Sequence, residues 1–301
     1  MRAVEQQDWA GLVGGLQALA QKTLFSVGGA PRSGTTWVQQ ILDAHPAICC
    51  RGEGLVMMRA AEPMGRLVAE WRSAVVAKNA QLFQHTGGFV PPDDDMAERL
   101  WAMALLLALQ AQRPAAEVQA IGEKTPENVF LFPRLRAQFP QARLIVVARD
   151  PRDVLASAWH QFHGHGAEQP HESARIDFIR RALPSLDHGM RVVLDQHRMW
   201  PDSVRIVTYE QLSLTPEPVV ASLFGFLGVA ADADLVQSCL EQASFQRHAA
   251  GRKPGQEQRQ AFLRKGVVGD WSTVFSVAMG DEILERLGWG LPLMEQAASR
   301  L

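Results

Sequence analysis

A short apolar run, Thr23–Val27, gives way to Gly28-Gly29-Ala30-Pro31-Arg32-Ser33-Gly34-Thr35-Thr36-Trp37, and the helical residues Val38-Gln39-Gln40-Ile41-Leu42 follow. This order (strand, glycine-rich turn, helix) constrains the fold more than any other segment. Glycines let the backbone curl so that successive N–H groups face one anion, and the helix start adds positive potential. Gly29 and Gly34 hold the G-x-x-x-x-G spacing of a phosphate-binding loop. Thr35 stands where a nucleotide triphosphatase needs Lys, and the cation lies inside the loop at Arg32. On spacing alone, a plain strand–turn–helix remains open.

Further short runs at Ala120–Glu123, Arg143–Ala148 and Val204–Thr208 read as strands between helical stretches. Continuous apolar strands alternating with helices predict an α/β fold, a central parallel sheet flanked by helices. Ligands in such sheets bind beyond the carboxyl ends of the strands. Residues 55–116 read as a mostly helical insertion rich in Met, Trp and Leu, within a single domain spanning 1–301. Core packing and the covering of an acceptor pocket both suit its composition.

With 47% hydrophobic and 21% charged residues, the chain falls among globular proteins, not disordered ones. A net charge of −2 argues against a nucleic-acid partner or a polybasic membrane anchor. The most apolar stretch, Trp101 to Leu109, is too short to span a bilayer, and the first residues lack the order of a signal peptide. Adjacent Cys49 and Cys50 with a distant Cys239 suggest buried, reduced thiols. The expectation is a soluble, cytoplasmic protein.

Two more segments carry cations. In Ala148-Arg149-Asp150-Pro151-Arg152-Asp153-Val154-Leu155-Ala156-Ser157, Asp150 caps a helix that begins with Pro151. Arg149 then sits at a strand's carboxyl edge, with Ser157 two turns along the helix. In Phe262-Leu263-Arg264-Lys265-Gly266-Val267-Val268-Gly269-Asp270-Trp271, adjacent cations beside a flexible Gly suit a phosphate clamp. Taken alone, each segment also reads as a capped helix or an exposed basic loop.

Together, in this order, the three segments resemble the PAPS-dependent sulfotransferases over nearly the whole chain. The first is similar to that family's P-[KR]-S-G-T-T-W loop and the third to its R-K-G-x-x-G-D-W. The resemblance implies a P-loop nucleoside-triphosphate-hydrolase-like fold and PAPS as sulfuryl donor, with PAP as product. It assigns the donor to Arg32, Ser33, Gly34, Thr35, Thr36 and Trp37, to Arg149 and Ser157 at the 3′-phosphate, and to Arg264, Lys265 and Gly266. Phe245 resembles a ring that packs on adenine opposite Trp37, and Tyr209 resembles a Tyr near the nucleotide. Lone aromatics are also common in cores.

Sulfuryl transfer needs a cation at the leaving oxygen, an in-line acceptor and a base. Arg32 and Lys124 are the candidate cations. Lys124 aligns with a K-T segment that continues K-T-H-L-P in cytosolic members, with a catalytic His; here Pro126 replaces that His. Glu53 resembles the base of tyrosylprotein and heparan-type enzymes, which share the lead-in seen at Leu42-Asp43-Ala44-His45-Pro46. Glu53 is the predicted general base, with Glu123, Glu127 and His160 next. His160, His163 and His165 have the look of a metal group but lack supporting Cys or carboxylates, so no metal is expected. A family dimer motif lacks its Lys, replaced by Ser272, which leaves monomer or weak homodimer. The expected acceptor is a small-molecule, lipid or glycoconjugate hydroxyl, less readily an amine. The alternatives are a P-loop kinase-like phosphotransferase and a non-catalytic nucleotide-binding protein.

Overall fold

The computed structural model describes residues 8–163, 171–258 and 261–299. The chain runs α1 (Trp9–Ala20), β1 (Thr23–Gly29), α2 (Thr35–Asp43), β2 (Ile48–Cys50), α3 (Val56–Leu82), α4 (Met96–Gln110) and β3 (Ala120–Lys124). A 3-10 turn (Pro126–Leu131) leads to α5 (Phe132–Gln138), β4 (Arg143–Ala148), α6 (Pro151–His163), α7 (Glu172–Met199) and β5 (Val204–Thr208). The remaining helices are α8 (Tyr209–Leu214), α9 (Pro216–Leu227), α10 (Ala233–Gln242), α11 (Phe245–His248), α12 (Val277–Leu287) and α13 (Leu291–Ala298).

The sheet has the order β2-β3-β1-β4-β5, and every pairing is parallel. Strand side chains alternate between its two faces. On β4, Leu144 and Val146 join a core with Trp101, Leu105, Phe132 and Val193. Ile145 and Val147 enter the opposite core, with Val38, Ile41, Leu42, Phe224 and Val236. Both faces are thus covered by helices, which is why the strands read as unbroken apolar runs. A third cluster, with Leu155, Trp159, Ile179 and Ile283, ties α6 and α7 to α12.

The four expected strands are present, and β1 and β3 extend past their expected ends by two residues and one. β2 was not expected; its three residues pair Ile48 with Ala120 and Cys50 with Gly122. The 55–116 stretch contains α3, 27 residues long with Pro63 inside it, and α4. Trp101 is fully buried and its indole N–H donates to the Met57 carbonyl, so this part of the stretch is core. Among the described residues, no helix is long and apolar enough to cross a membrane. All three cysteines are free and buried, and burial pushes the thiols of Cys49, Cys50 and Cys239 up.

The Leu42–Pro46 lead-in is a braced turn. Asp43 accepts the Cys50 N–H at 2.9 Å. His45 Nδ1 accepts the Ala47 N–H, so Nε2 carries the proton and donates to the Ala230 carbonyl, each at 3.0 Å. These bonds set the start of β2 and, through it, the 51–55 loop.

Candidate active site

β1, β4 and β5 end at one edge of the sheet, and the loops beyond them enclose a cavity of about 610 Å³. The loop after β1 is set by backbone conformation. Gly29 (φ +152°) lies so close to β4 that a Cβ there would sit 2.4 Å from the Val147 carbonyl oxygen. Gly34 (φ +103°) caps α2, and a Cβ there would sit 2.6 Å from the Tyr209 ring. Arg32 adopts φ +75°, an uncommon conformation for a residue with a side chain. Ser33 is fully buried, and its Oγ has no hydrogen-bond partner. The first N–H groups of α2, at Thr35 and Thr36, lack intrahelical acceptors by helix geometry.

The loop's cation turns toward the other basic segments. Arg32 Nε donates to Ser157 Oγ at 3.1 Å, and Nη2 donates to the Phe262 carbonyl at 2.9 Å. Its guanidinium lies 4.7 Å from the Phe262 ring centroid. Burial lowers the pKa of Arg32, and so do the neighbouring charges of Arg149 and Arg264. All three of these residues line the same cavity.

Arg149 follows β4 and lies 4.1 Å from the Tyr209 ring centroid. It donates to the Arg32 carbonyl (3.3 Å), the Val267 carbonyl (2.9 Å) and Asp153 Oδ2 (3.3 Å). Arg264 is ion-paired to Glu257 and Asp270, and Lys265 to Asp270. The Nε groups of Arg149 and Arg264 are buried without partners. Buried polar groups are normally satisfied, so these two donors and Ser33 Oγ are the site's unfilled valences.

Aromatic rings form one wall. Trp37 meets Tyr209 edge-on at 5.5 Å, and both line the cavity together with Phe245. Gly266 (φ +66°) passes so near Phe245 that a Cβ would sit 2.6 Å from the ring. Tyr209 opens α8, whose Thr208–Gln211 capping box fixes where the ring emerges from β5.

Glu53, Pro126 and Glu127 line the same cavity. Lys124, almost fully buried at the end of β3, donates to Thr36 Oγ1 at 3.1 Å and is ion-paired to Glu53. The structure therefore places Lys124, not Arg32, beside Glu53. Arg32, Gly34, Thr35, Thr36, Trp37, Glu53, Arg149, Ser157, Tyr209, Phe245, Arg264, Lys265 and Gly266 all line one cavity, and Ser33 and Lys124 stand just behind its wall. A second cavity of about 290 Å³ shares Pro31, Glu127 and Arg149 with the first and continues along Phe130, Leu186 and Met190.

Of the other base candidates, Glu127 lines both cavities, Glu123 is buried behind the site, and His160 lines neither. His163 stacks on Trp159 at 3.9 Å, and His165 lies outside the described residues. Among the described residues no group of three or more His, Cys, Asp or Glu could hold a metal.

The sequence reading missed Asp153, Asp270 and Phe262. Asp153 accepts the N–H groups of Gly269 (2.7 Å) and Trp271 (2.9 Å) as well as Arg149, and so joins α6 to the basic loop. An acid in the first turn of a helix reads as ordinary capping, which hides a contact made 116 residues away.

The sulfotransferase family model matches residues 25–233. The chain belongs to the sulfotransferase family. It is 26% identical over 207 residues to the protein-tyrosine sulfotransferase of Drosophila melanogaster, covering 68% of this chain and 38% of the relative. It is 27% identical over 155 residues to sulfotransferase 2B1 of Homo sapiens, covering 47% and 42%. The chain thus spans less than half the length of these two curated relatives. The fold matches mouse sulfotransferase SULT7A1, solved as a complex with PAP, over 95% of this chain and 93% of that one, with a TM-score of 0.56 and 17% identity.

Proposed function

We propose that this chain transfers a sulfuryl group from PAPS to the hydroxyl of a small acceptor. The observation that carries the reading is the convergence of Arg32, Arg149 and Arg264 on one cavity, with the orphaned Ser33 Oγ just behind its wall. Three cations, two of them with an unpartnered Nε–H, fit a ligand with phosphate at both ends of a nucleoside. The ring wall of Trp37 and Phe245 fits its base, where stacking contributes about 1–3 kcal/mol.

In the reaction the acceptor oxygen bonds to sulfur as the bond from sulfur to the bridging phosphate oxygen breaks, and the electron pair stays on the bisphosphate. Glu53 takes the hydroxyl proton. Lys124, between Glu53 and Thr36, keeps the carboxylate oriented and faces the charge that grows on the leaving oxygen. Arg32, next to Ser157, serves the phosphate end together with Arg149. The smaller cavity meets the first at Pro31, Glu127 and Arg149 and is walled by Val129, Phe130, Leu186 and Met190, which suits an apolar acceptor body.

Calorimetry tests the donor half. Adenosine 3′,5′-bisphosphate binds without metal, and ATP with Mg²⁺ does not; the reverse preference overturns the reading. Labelled PAPS offered to a panel of hydroxyl compounds then identifies the acceptor. Glu53→Gln lowers turnover about 10²–10⁴-fold and leaves bisphosphate affinity intact; undiminished turnover removes Glu53 as the base.

A further inference from the structure

The chemistry above leaves the buried acid of β3 unused. Glu123 is 5% exposed and precedes Lys124 on β3. Neighbouring side chains leave a strand on opposite faces, yet both of these residues act on the same loop. Lys124 holds the Glu53 carboxylate, and its backbone N–H lies 3.4 Å from the Gly52 carbonyl. Glu123 Oε2 accepts the N–H of Gly54, the residue after Glu53, at 2.9 Å.

The carboxylate is itself anchored. Oε1 accepts from Asn128 Nδ2 at 2.8 Å, and that same nitrogen lies 3.0 Å from Ser26 Oγ on β1. Thr125 Oγ1 donates to Oε2 at 3.4 Å. Both oxygens thus face donors, which suits an acceptor-only group. The approach to the loop is close: a Cβ on Gly54 would lie 2.6 Å from Glu123 Oε2. Gly52, at φ +56°, lets the chain turn back toward β3 just before Glu53.

We infer that Glu123 is a positioning residue for the proton acceptor: through the Gly54 N–H it fixes the loop that carries Glu53, while Lys124 fixes the carboxylate itself. The inference rests on the reading of Glu53 as the base. It excludes Glu123 as a base in its own right, because its oxygens are occupied behind the cavity wall.

A double-mutant cycle tests this, with PAPS consumption measured at saturating donor and 4-nitrophenol as probe acceptor. Glu123→Ala lowers kcat about 10²-fold, the scale of a reacting group displaced by about 1 Å. Bisphosphate affinity measured by calorimetry stays within about twofold, since no donor contact is removed. Glu123→Gln, which still offers Gly54 an acceptor once the Asn128 amide turns over, recovers most of the loss. The double variant Glu53→Gln with Glu123→Ala is no slower than Glu53→Gln alone. Amide exchange reads the same contact without any acceptor: Gly54 exchanges at least about tenfold faster in Glu123→Ala. Should Glu123→Ala fail to fold, Gly54→Ala breaks the contact from the loop side and takes its place in the cycle. Losses that multiply in the double variant overturn the inference, as does unchanged Gly54 exchange. Full activity of Glu53→Gln alone overturns instead the reading on which it rests.

Discussion

Asp270 shows how a single residue holds the basic segment together. It accepts from Lys265 at 2.5 Å, from Arg264, and from Thr273 Oγ1 at 3.1 Å. Burial raises its pKa, but the hydrogen bonds from Lys265 and Arg264 outweigh that, and the net direction is down. A carboxylate with a depressed folded-state pKa contributes stability above its unfolded value, about 3.9. That contribution fades as pH falls through the lower folded value. Urea denaturation between pH 7 and pH 3 will show the native protein losing stability below about pH 4, and Asp270→Asn giving a flatter curve from a lower plateau. Gly34 makes a different point at the same scale. Its φ of +103° and its closeness to Tyr209 leave no room for a methyl group. Gly34→Ala should weaken binding of adenosine 3′,5′-bisphosphate about tenfold or more, measured by calorimetry, because strain of about 1–3 kcal/mol is relieved by displacing the loop or the ring.

At the level of elements, the site depends on how α6 is tied to the segment after residue 260. Asp153 has a fully buried side chain and holds Arg149 together with two backbone N–H groups of that segment. Asp153→Ala leaves a buried guanidinium without its carboxylate and is expected to cost about 3–5 kcal/mol. Urea unfolding would measure it, and bisphosphate affinity should fall with it. The sequence showed β4 and β5 at their observed bounds because buried parallel strands are runs of Val, Ile and Leu. It did not show β2: three residues carry no period, and Ile48–Cys50 is a strand only because β3 is there to pair with it. The site was legible to a similar degree. Glycine spacing and the residues at strand ends signalled the loop after β1 and Arg149, and the resemblance to a known family signalled the rest of the lining, from Glu53 and Ser157 to Phe245 and Arg264. The pairing of Lys124 with Glu53 and of Arg264 with Glu257 did not show, since it depends on side-chain reach across elements far apart in sequence.

For the whole molecule, the order β2-β3-β1-β4-β5 places β1 in the middle, so the loop after it emerges between Lys124, at the end of β3, and Arg149, at the end of β4. A ligand that bridges these ends joins both halves of the sheet edge and binds only the folded chain. At about one hundred times its Kd, adenosine 3′,5′-bisphosphate should add about 2.7 kcal/mol and raise Tm by about 4 °C in thermal melts, while adenosine alone should not. The cations that would hold it already have internal acceptors, from the Arg32 and Val267 carbonyls to Asp270. Binding is then an exchange of partners, and the net gain is smaller than the number of charges implies. Arg32 itself carries a bulky side chain in a backbone shape natural to glycine. The protein therefore keeps a small reserve of tension at its centre, since letting this residue relax would swing the positive group away from where the other two meet. Grip on an anion and local ease of the chain oppose each other at that one residue, and a more comfortable loop would be a weaker trap.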